Sequence, residues 1–216
     1  MRAVPWATMS DHDAFEQQTA QLGLALRDDA IQQLLAYVSL LQKWNKTHNL
    51  TAVRDEEMLS LHLLDSLAIL PMLSGERVLD VGSGGGLPGI PLAIASPEMM
   101  FTLVDSNRKK TSFLRQVVLE LRLPNVLVET QRIENLSPTP VYDCIVSRAY
   151  ASLLQFVTQS RHVLAKNGYW LAMKGLFPEQ ELTALPKDVR MLATKALQIP
   201  GLTAERHVLQ LGVVHD

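Results

Sequence analysis

A strand that runs into a glycine-rich loop constrains this 216-residue chain more than any other feature. The segment Val78–Gly89 opens with the apolar residues of a buried strand and continues as Gly-Ser-Gly-Gly-Gly-Leu-Pro-Gly. Glycine permits a tight turn and lets a ligand lie against the backbone without a Cβ in the way. Open α/β sheets bind their ligands at such strand-to-helix turns. The segment therefore predicts a site for a nucleotide-type cofactor.

The pattern beyond residue 75 predicts an α/β domain. Strand-like apolar runs alternate with helical stretches, which is typical of a mostly parallel sheet. Strands are predicted at Arg77–Val81, Phe101–Asp105, Val126–Glu129, Tyr142–Ser147 and Tyr169–Met173, and helices at Pro88–Ala95, Asn107–Leu121 and Ser152–Ala165. Two final strand-like runs, Arg190–Gln198 and Glu205–Val214, predict a closing hairpin.

Residues 1–75 predict a helical segment that packs on a catalytic domain formed by residues 76–216. Apolar residues recur with helical spacing over Asp28–Trp44 and again over about Asp55–Leu70. In the second helix His62, Asp65 and Ser66 are spaced i, i+3 and i+4, so they are expected to cluster. The simplest interpretation of this cluster is a hydrogen-bonded surface or an inter-helix contact.

Composition excludes several classes of protein. The single cysteine, Cys144, excludes an intramolecular disulfide and a multi-cysteine zinc site, and the six histidines lack metal-ligand spacing, so no metal is expected. No apolar run reaches the roughly 18 residues of a membrane span, and the first residues lack the apolar core of a secretory signal. The expected location is the cytoplasm. A monomer is expected because no dimerisation stripe is evident.

The register of the glycines decides which cofactor is favoured. Residues Gly84–Gly89 match the dinucleotide pattern G-x-G-x-x-G, but the first glycine after the strand is Gly82, and counting from it places Leu87 at the third glycine position. The loop is better described as Asp80-x-Gly82-x-Gly84-x-Gly86, which resembles motif I of S-adenosylmethionine-dependent methyltransferases.

The chemistry of S-adenosylmethionine agrees with that register. The cofactor has no pyrophosphate, and its charged methionine moiety is suited to a carboxylate near the loop, such as Asp80. Asp105 ends the next strand, where an acid can bind both ribose hydroxyls. Because NAD enzymes use that position too, an NAD-dependent dehydrogenase remains a disfavoured alternative.

Further motifs make the resemblance specific. Gly86–Leu92, read as Gly-Leu-Pro-Gly-Ile-Pro-Leu, resembles the signature of the RsmG (GidB) family of bacterial 16S rRNA methyltransferases. Other segments similar to that family follow in order along almost the whole chain: Trp44-Asn45 with Asn49-Leu50-Thr51, His62 with Asp65-Ser66-Leu67, Val104-Asp105-Ser106 with Lys109-Lys110 and Phe113-Leu114, Ser147-Arg148-Ala149-Tyr150, Met173-Lys174-Gly175, and Glu205-Arg206-His207. On this resemblance the chain is identified as a member of the family.

The resemblance implies a Rossmann-like class I methyltransferase fold, with a mostly parallel seven-stranded sheet and a C-terminal antiparallel hairpin. It implies that the cofactor is held around Gly82 and Leu87, with Asp105 on the ribose, Ile133 and Glu134 beside the adenine, and Arg148 beside the bound cofactor. It also implies the substrate, N7 of one guanine in the 530 loop of 16S rRNA.

That reaction needs positioning more than acid–base chemistry. Guanine N7 has a free lone pair at neutral pH, so no general base is expected, and in-line alignment can lower the barrier by about 7–11 kcal/mol. Arg148, after the fourth strand, is the residue expected to shape the site. The structural alternative for Arg148 is an ion pair with Asp80 or Glu134.

The helix after Asp105 predicts an RNA-binding edge. It carries five cations against one acid, Glu120, and three of them recur every seven residues. The expected RNA contacts are Arg108, Lys109, Lys110, Arg115, Lys174 and Arg206, with Arg122 on the same helix stripe. The alternative is an ordinary solvated face. The target base would have to be splayed out of its loop.

The charge distribution limits the kind of RNA partner. Net charge is −2 overall, divided as −4 over residues 1–75 and +2 over the rest. This balance excludes binding through general phosphate attraction, but allows an enzyme that meets 16S rRNA or the 30S subunit at a local basic edge. Two alternatives stay open: a methyltransferase acting on a ribosomal protein or small molecule, and a non-catalytic nucleotide-binding module of the ribosome.

Overall fold

A seven-stranded sheet forms the centre of the protein in this computed structural model, which describes residues 11–137 and 139–214. The strands are β1 Arg77–Val81, β2 Met100–Val104, β3 Val126–Glu129, β4 Tyr142–Arg148, β5 Leu164–Lys174, β6 Val189–Ala196 and β7 His207–Val213. Their spatial order is β3-β2-β1-β4-β5-β7-β6. β7 pairs antiparallel with both β5 and β6, and the other pairs are parallel. The predicted Rossmann-like fold with its closing hairpin is confirmed.

Helices cover both faces of the sheet. The α-helices are α1 Asp11–Gln21, α2 Asp28–His48, α3 Asp65–Leu67, α4 Gly89–Ala95, α5 Arg108–Glu120, α6 Leu153–Ser160 and α7 Glu179–Thr183. Strict alternation along the strands divides the core. One hydrophobic cluster contains Val78 and Cys144 and faces α4 and α5, whereas the other contains Leu79 and Ile145 and faces α6. None of the described helices is long and apolar enough to cross a membrane.

The N-terminal helices pack on the first of these faces. Residues of α1 and α2, among them Phe15 and Leu34, belong to the same hydrophobic cluster as Val78 of β1. The Tyr37 hydroxyl donates a 2.6 Å hydrogen bond to the carbonyl of Gly85, so α2 supports the glycine loop directly. The division at residue 75 stays a prediction, since the two segments share one core.

The second predicted helix is irregular. Over Asp55–Met72 the chain forms a 3-10 turn at Asp55–Glu57, a π-helical stretch at Leu59–Leu64, α3, and a second 3-10 turn at Leu70–Met72. π-Helical insertions are rare and occur often at functional sites. This one carries His62 and leads directly into Asp65.

Candidate functional site

The carboxyl ends of β1, β2 and β4 meet at one edge of the sheet. β1 lies between β2 and β4, so the chain connections diverge on either side of it, and ligands of open α/β sheets bind in such a crevice. A cavity of about 220 Å³ opens there. Its lining residues are Val81, Gly82, Val104, Asp105, Ser106, Gln131, Arg132, Ile133, Glu134, Tyr150 and Gln159. We name it the cofactor cavity.

Gly82 forms the floor of the cofactor cavity. Its φ of +72° lies in the left-handed region that favours glycine, and its amide donates to the carbonyl of Val104 at 2.9 Å. A Cβ at this position would stand 3.6 Å from the ring of Tyr150. That distance is an ordinary van der Waals contact, so the positive φ is the stronger reason for glycine at this position.

Asp105 occupies the position expected for ribose binding. One carboxylate oxygen accepts the Gly84 amide at 3.0 Å and the other accepts the Asn107 amide at 2.8 Å. These two hydrogen bonds fix the carboxylate between the glycine loop and the start of α5. Each oxygen retains a lone pair, so the group can accept further hydrogen bonds from ligand hydroxyls in the cavity.

Asp80 does not face the cofactor cavity, which corrects the prediction that it contacts the cofactor. Its side chain is fully buried beneath the loop, where one oxygen accepts the Gly89 amide at 2.9 Å. A Cβ on Gly89 would come within 2.6 Å of that oxygen, so the pair requires glycine. Burial raises the pKa of Asp80 to about 7. Asp80 holds the loop in shape from below.

The other predicted cofactor residues divide into two groups. Ile133 and Glu134 line the cofactor cavity, and their contact with the adenine stays a prediction. Gly84, Gly86 and Leu87 do not line it, although the Gly84 amide donates to Asp105, which does. The sequence predicted no role for five further lining residues, namely Ser106, Gln131, Arg132, Tyr150 and Gln159. Two of them had a signal, because Ser106 and Tyr150 belong to segments that resemble the family.

A second cavity, of about 500 Å³, also has Tyr150 in its lining. Its lining residues are Thr51, Val53, Leu61, His62, Asp65, Arg148, Ala149, Tyr150, Met173, Lys174, Gly175 and Arg206. Both cavities share Tyr150 as a lining residue, so they are neighbours. We name this second space the substrate cavity.

Arg148 lies in the substrate cavity and not in the cofactor cavity. Its Nη1 atom donates to the carbonyl of Leu61 at 2.8 Å and to Asp65 Oδ2 at 3.2 Å. The predicted alternative, an ion pair with Asp80 or Glu134, is wrong in its partner: the acid is Asp65 of the N-terminal segment. The reason is that the π-helical stretch brings Asp65 over the end of β4, which sequence spacing does not show.

The His62–Asp65–Ser66 cluster is buried and not a surface feature. Asp65 lies between two arginines, with Oδ1 3.2 Å from Nε of Arg206 in addition to the Arg148 contact. Burial raises the pKa of the Asp65 carboxyl, and the two guanidinium groups oppose that effect. Burial and the Arg148 charge lower the pKa of His62 to about 4, so its ring is neutral at pH 7.

The predicted RNA contacts separate into available and engaged cations. Arg108 and Lys109 are exposed at the start of α5, and Lys110 is half-buried beside the glycine loop. Three others already have partners within the protein: Arg115 donates to Val128 and Thr130 on β3 and its following loop, Lys174 pairs with Glu181 at 2.9 Å, and Arg206 pairs with Asp65. The structure therefore does not bring all six together as one basic edge.

The described residues contain one cluster with the ligand types and proximity of a metal site. His12, Asp13 and Glu16 of α1 place one potential ligand atom each within 4.8 Å of the others. These side chains are exposed or half-exposed. Such exposed groups occur commonly without an ion, and nothing connects them to either cavity.

The sheet order, the glycine loop and the acid after β2 define an S-adenosylmethionine-dependent methyltransferase. A solved structure of an S-adenosylmethionine-dependent methyltransferase from Aquifex aeolicus has the same fold, with a TM-score of 0.57, 19% identity, and coverage of 79% of this chain and 97% of that one.

Sequence comparison is more specific. The family model for rRNA small subunit methyltransferase G (GidB) matches residues 30–209. The chain is 51% identical to ribosomal RNA small subunit methyltransferase G of Laribacter hongkongensis, over 90% of this chain and 94% of the relative. It is 52% identical to the Pseudomonas aeruginosa protein of the same name, over 94% and 96%. The chain belongs to the rRNA small subunit methyltransferase G family.

Proposed function

We propose that this protein transfers a methyl group from S-adenosylmethionine to N7 of one guanine in the 530 loop of 16S rRNA. The observation that carries the proposal is a pair of neighbouring cavities that share Tyr150. The cofactor cavity presents Gly82 and the carboxylate of Asp105. The substrate cavity presents polar groups from the N-terminal helical segment and from the sheet domain. Membership of the family supports the substrate class.

The cofactor cavity has the chemistry that an adenosine moiety requires. Asp105 has free lone pairs for ribose hydroxyls, Ile133 offers an apolar surface, and Gly82 leaves the space that a Cβ would fill. Glu134, Gln131 and Gln159 add polar groups around the rim. When bound, S-adenosylmethionine supplies a methyl group activated by a positively charged sulfur.

The protein's own task is alignment and not proton transfer. Guanine N7 presents its lone pair at neutral pH, so a base is not required. His62, the histidine in the substrate cavity, is neutral at pH 7 and engaged with neighbours. Tyr150 lines both cavities and would restrict where a base and a methyl donor can meet. Positioning of this kind can account for about 7–11 kcal/mol of barrier lowering.

The target guanine would enter the substrate cavity after leaving its stack. Enzymes that modify a base inside folded nucleic acid extrude it into a pocket. The exposed Arg108 and Lys109 at the start of α5 are available for the flanking phosphates. We further propose that the assembled 30S subunit or free 16S rRNA is the partner, that the enzyme acts as a monomer, and that it works in the cytoplasm.

Label transfer tests the proposal directly. The protein is incubated with tritiated S-adenosylmethionine and with unmethylated 30S subunits, free 16S rRNA or ribosomal proteins. Label in a guanine of the 530 loop is the expected result. The amount of label in 30S subunits, compared with that in free 16S rRNA, identifies the preferred substrate. Label in protein would favour the alternative methyltransferase, and no label in any sample would favour a non-catalytic module.

A further inference from the structure

Thr51 lies on the loop after α2 and lines the substrate cavity. We propose that its hydroxyl group donates a hydrogen bond to O6 of the target guanine and so makes the enzyme select guanine over adenine. The inference rests on the proposed function, because it names the group that recognises the base in that same cavity. It follows from a chain of hydrogen bonds that begins at Arg148.

The first step assigns the tautomer of His62. Nη2 of Arg148 lies 3.3 Å from Nδ1 of His62, and a guanidinium group can only donate. We assign Nδ1 as the acceptor of this bond, which places the ring proton of neutral His62 on Nε2. The Leu61 carbonyl, 3.0 Å from Nδ1, accepts from Arg148 at 2.8 Å, and in the other tautomer it would accept the ring proton as well.

The second step fixes the direction of the Thr51 hydroxyl. Nε2 of His62 lies 2.9 Å from Thr51 Oγ1, and with its proton it donates to that oxygen. The Val53 amide donates to the same oxygen at 3.1 Å. A hydroxyl oxygen has two lone pairs, so both are filled and only the hydroxyl proton remains to form a bond. With the ring proton on Nε2, no acceptor within the described part of the chain takes this proton.

The third step matches the free proton to a base. Guanine carries the acceptor O6 beside N7, whereas adenine carries an amino group at the same position. A hydroxyl group that can only donate binds O6 and repels that amino group. The hydroxyl therefore presents a donor that recognises the atom next to the one that receives the methyl group.

Two substitutions at this position separate the hydroxyl from the volume of the side chain. Thr51→Val keeps the shape and removes the proton, whereas Thr51→Ser keeps the proton. We expect kcat/KM on 30S subunits to fall by about 5- to 100-fold in the valine variant, in line with the loss of one base-specific hydrogen bond. The serine variant is expected to stay within about threefold of wild type. Calorimetry should give the same S-adenosylmethionine affinity for all three proteins.

A ratio of rates distinguishes recognition from folding. Subunits carrying adenine in place of the target guanine are methylated alongside normal subunits, and the guanine-to-adenine rate ratio does not depend on how much enzyme is active. The ratio should fall in Thr51→Val and persist in Thr51→Ser. A valine variant with the wild-type ratio would overturn the inference and leave the proposed function intact. A wild-type enzyme that does not label the guanine would overturn both.

Discussion

The Asp65 carboxylate lies 3.2 Å from the Arg148 guanidinium and joins the N-terminal helical segment to the end of β4. Both side chains line the substrate cavity. A second arginine, Arg206 in the loop before β7, also forms an ion pair with Asp65. One buried carboxylate thus connects three distant parts of the sequence around the place where a base would bind. The N-terminal helices are therefore part of the proposed site and not only a cover for the sheet.

Arg148→Ala should reduce methylation strongly while the protein remains folded. Loss of the guanidinium leaves Asp65 with Arg206 alone, which we expect to lower the free energy of unfolding by about 1–3 kcal/mol. It also removes the donor that fixes His62, and a small displacement of reacting groups costs about 10²-fold in rate. Methylation of 30S subunits and urea unfolding measure the two effects.

Arg161→Ala is the matched control for that variant. It breaks an ion pair with Asp188 that is largely exposed, which should change stability by no more than about 1 kcal/mol. Its methylation rate should equal that of the wild type. An Arg148→Ala enzyme that methylates 30S subunits at the wild-type rate would refute the role given to Arg148.

Gly82→Asp should abolish S-adenosylmethionine binding. The new side chain would start 3.6 Å from the Tyr150 ring and place a carboxylate in the cofactor cavity beside Asp105. Gly23→Asp provides the control, because Gly23 has nearly the same φ, +75°, with no atom within 4 Å of its would-be Cβ. Isothermal calorimetry should detect no binding to the first variant and wild-type affinity for the second. Equal affinities would contradict the assignment of the loop.

The sheet and its ligand-binding edge could be predicted from the sequence because both depend on local patterns. Bounds for β1 and β3 agree with the predicted ranges, since the apolar runs end at charged or turn-forming residues. The position of Asp105 at the cofactor cavity is predictable because the end of a parallel strand fixes where its side chain lies, and its contact with the ribose stays a prediction. The short helix α7 and the first helix α1 carried too weak a periodicity to be predicted.

The pairing of charged groups could not be predicted in the same way. Asp80 and Arg148 were both placed near the cofactor from motif position alone, but the first is buried under the loop and the second reaches Asp65, 83 residues earlier. Such pairs depend on how the irregular helix packs on the sheet. Local periodicity contains no information about that contact. Nor does it show that Lys174 pairs with Glu181 or that Arg206 pairs with Asp65.

Charge reversal at Arg108 and Lys109 should weaken rRNA binding and flatten its salt dependence. Both side chains are exposed at the start of α5, and each lost phosphate contact reduces the slope of log K against log salt by about one. Lys187→Glu with Lys195→Glu changes the net charge equally at the opposite end of the sheet, near β6. If both double variants show the same slope as wild type, the RNA face lies elsewhere.

Asp80→Asn should gain stability relative to wild type as pH rises from about 4 to about 7. Burial raises the pKa of Asp80 to about 7, so the folded protein holds a proton that the unfolded chain releases near pH 4. Unfolding then releases a proton in this window, and wild-type stability falls as pH rises through it, by up to about 4 kcal/mol for this group. Asparagine does not titrate, and it preserves an oxygen for the Gly89 amide. Urea unfolding at pH 5 and pH 8 measures the free energy of unfolding of both proteins. Subtracting the variant from the wild type at each pH cancels the contributions of His62 and other titrating groups. A wild-type-minus-variant difference independent of pH would show that Asp80 is ionised throughout.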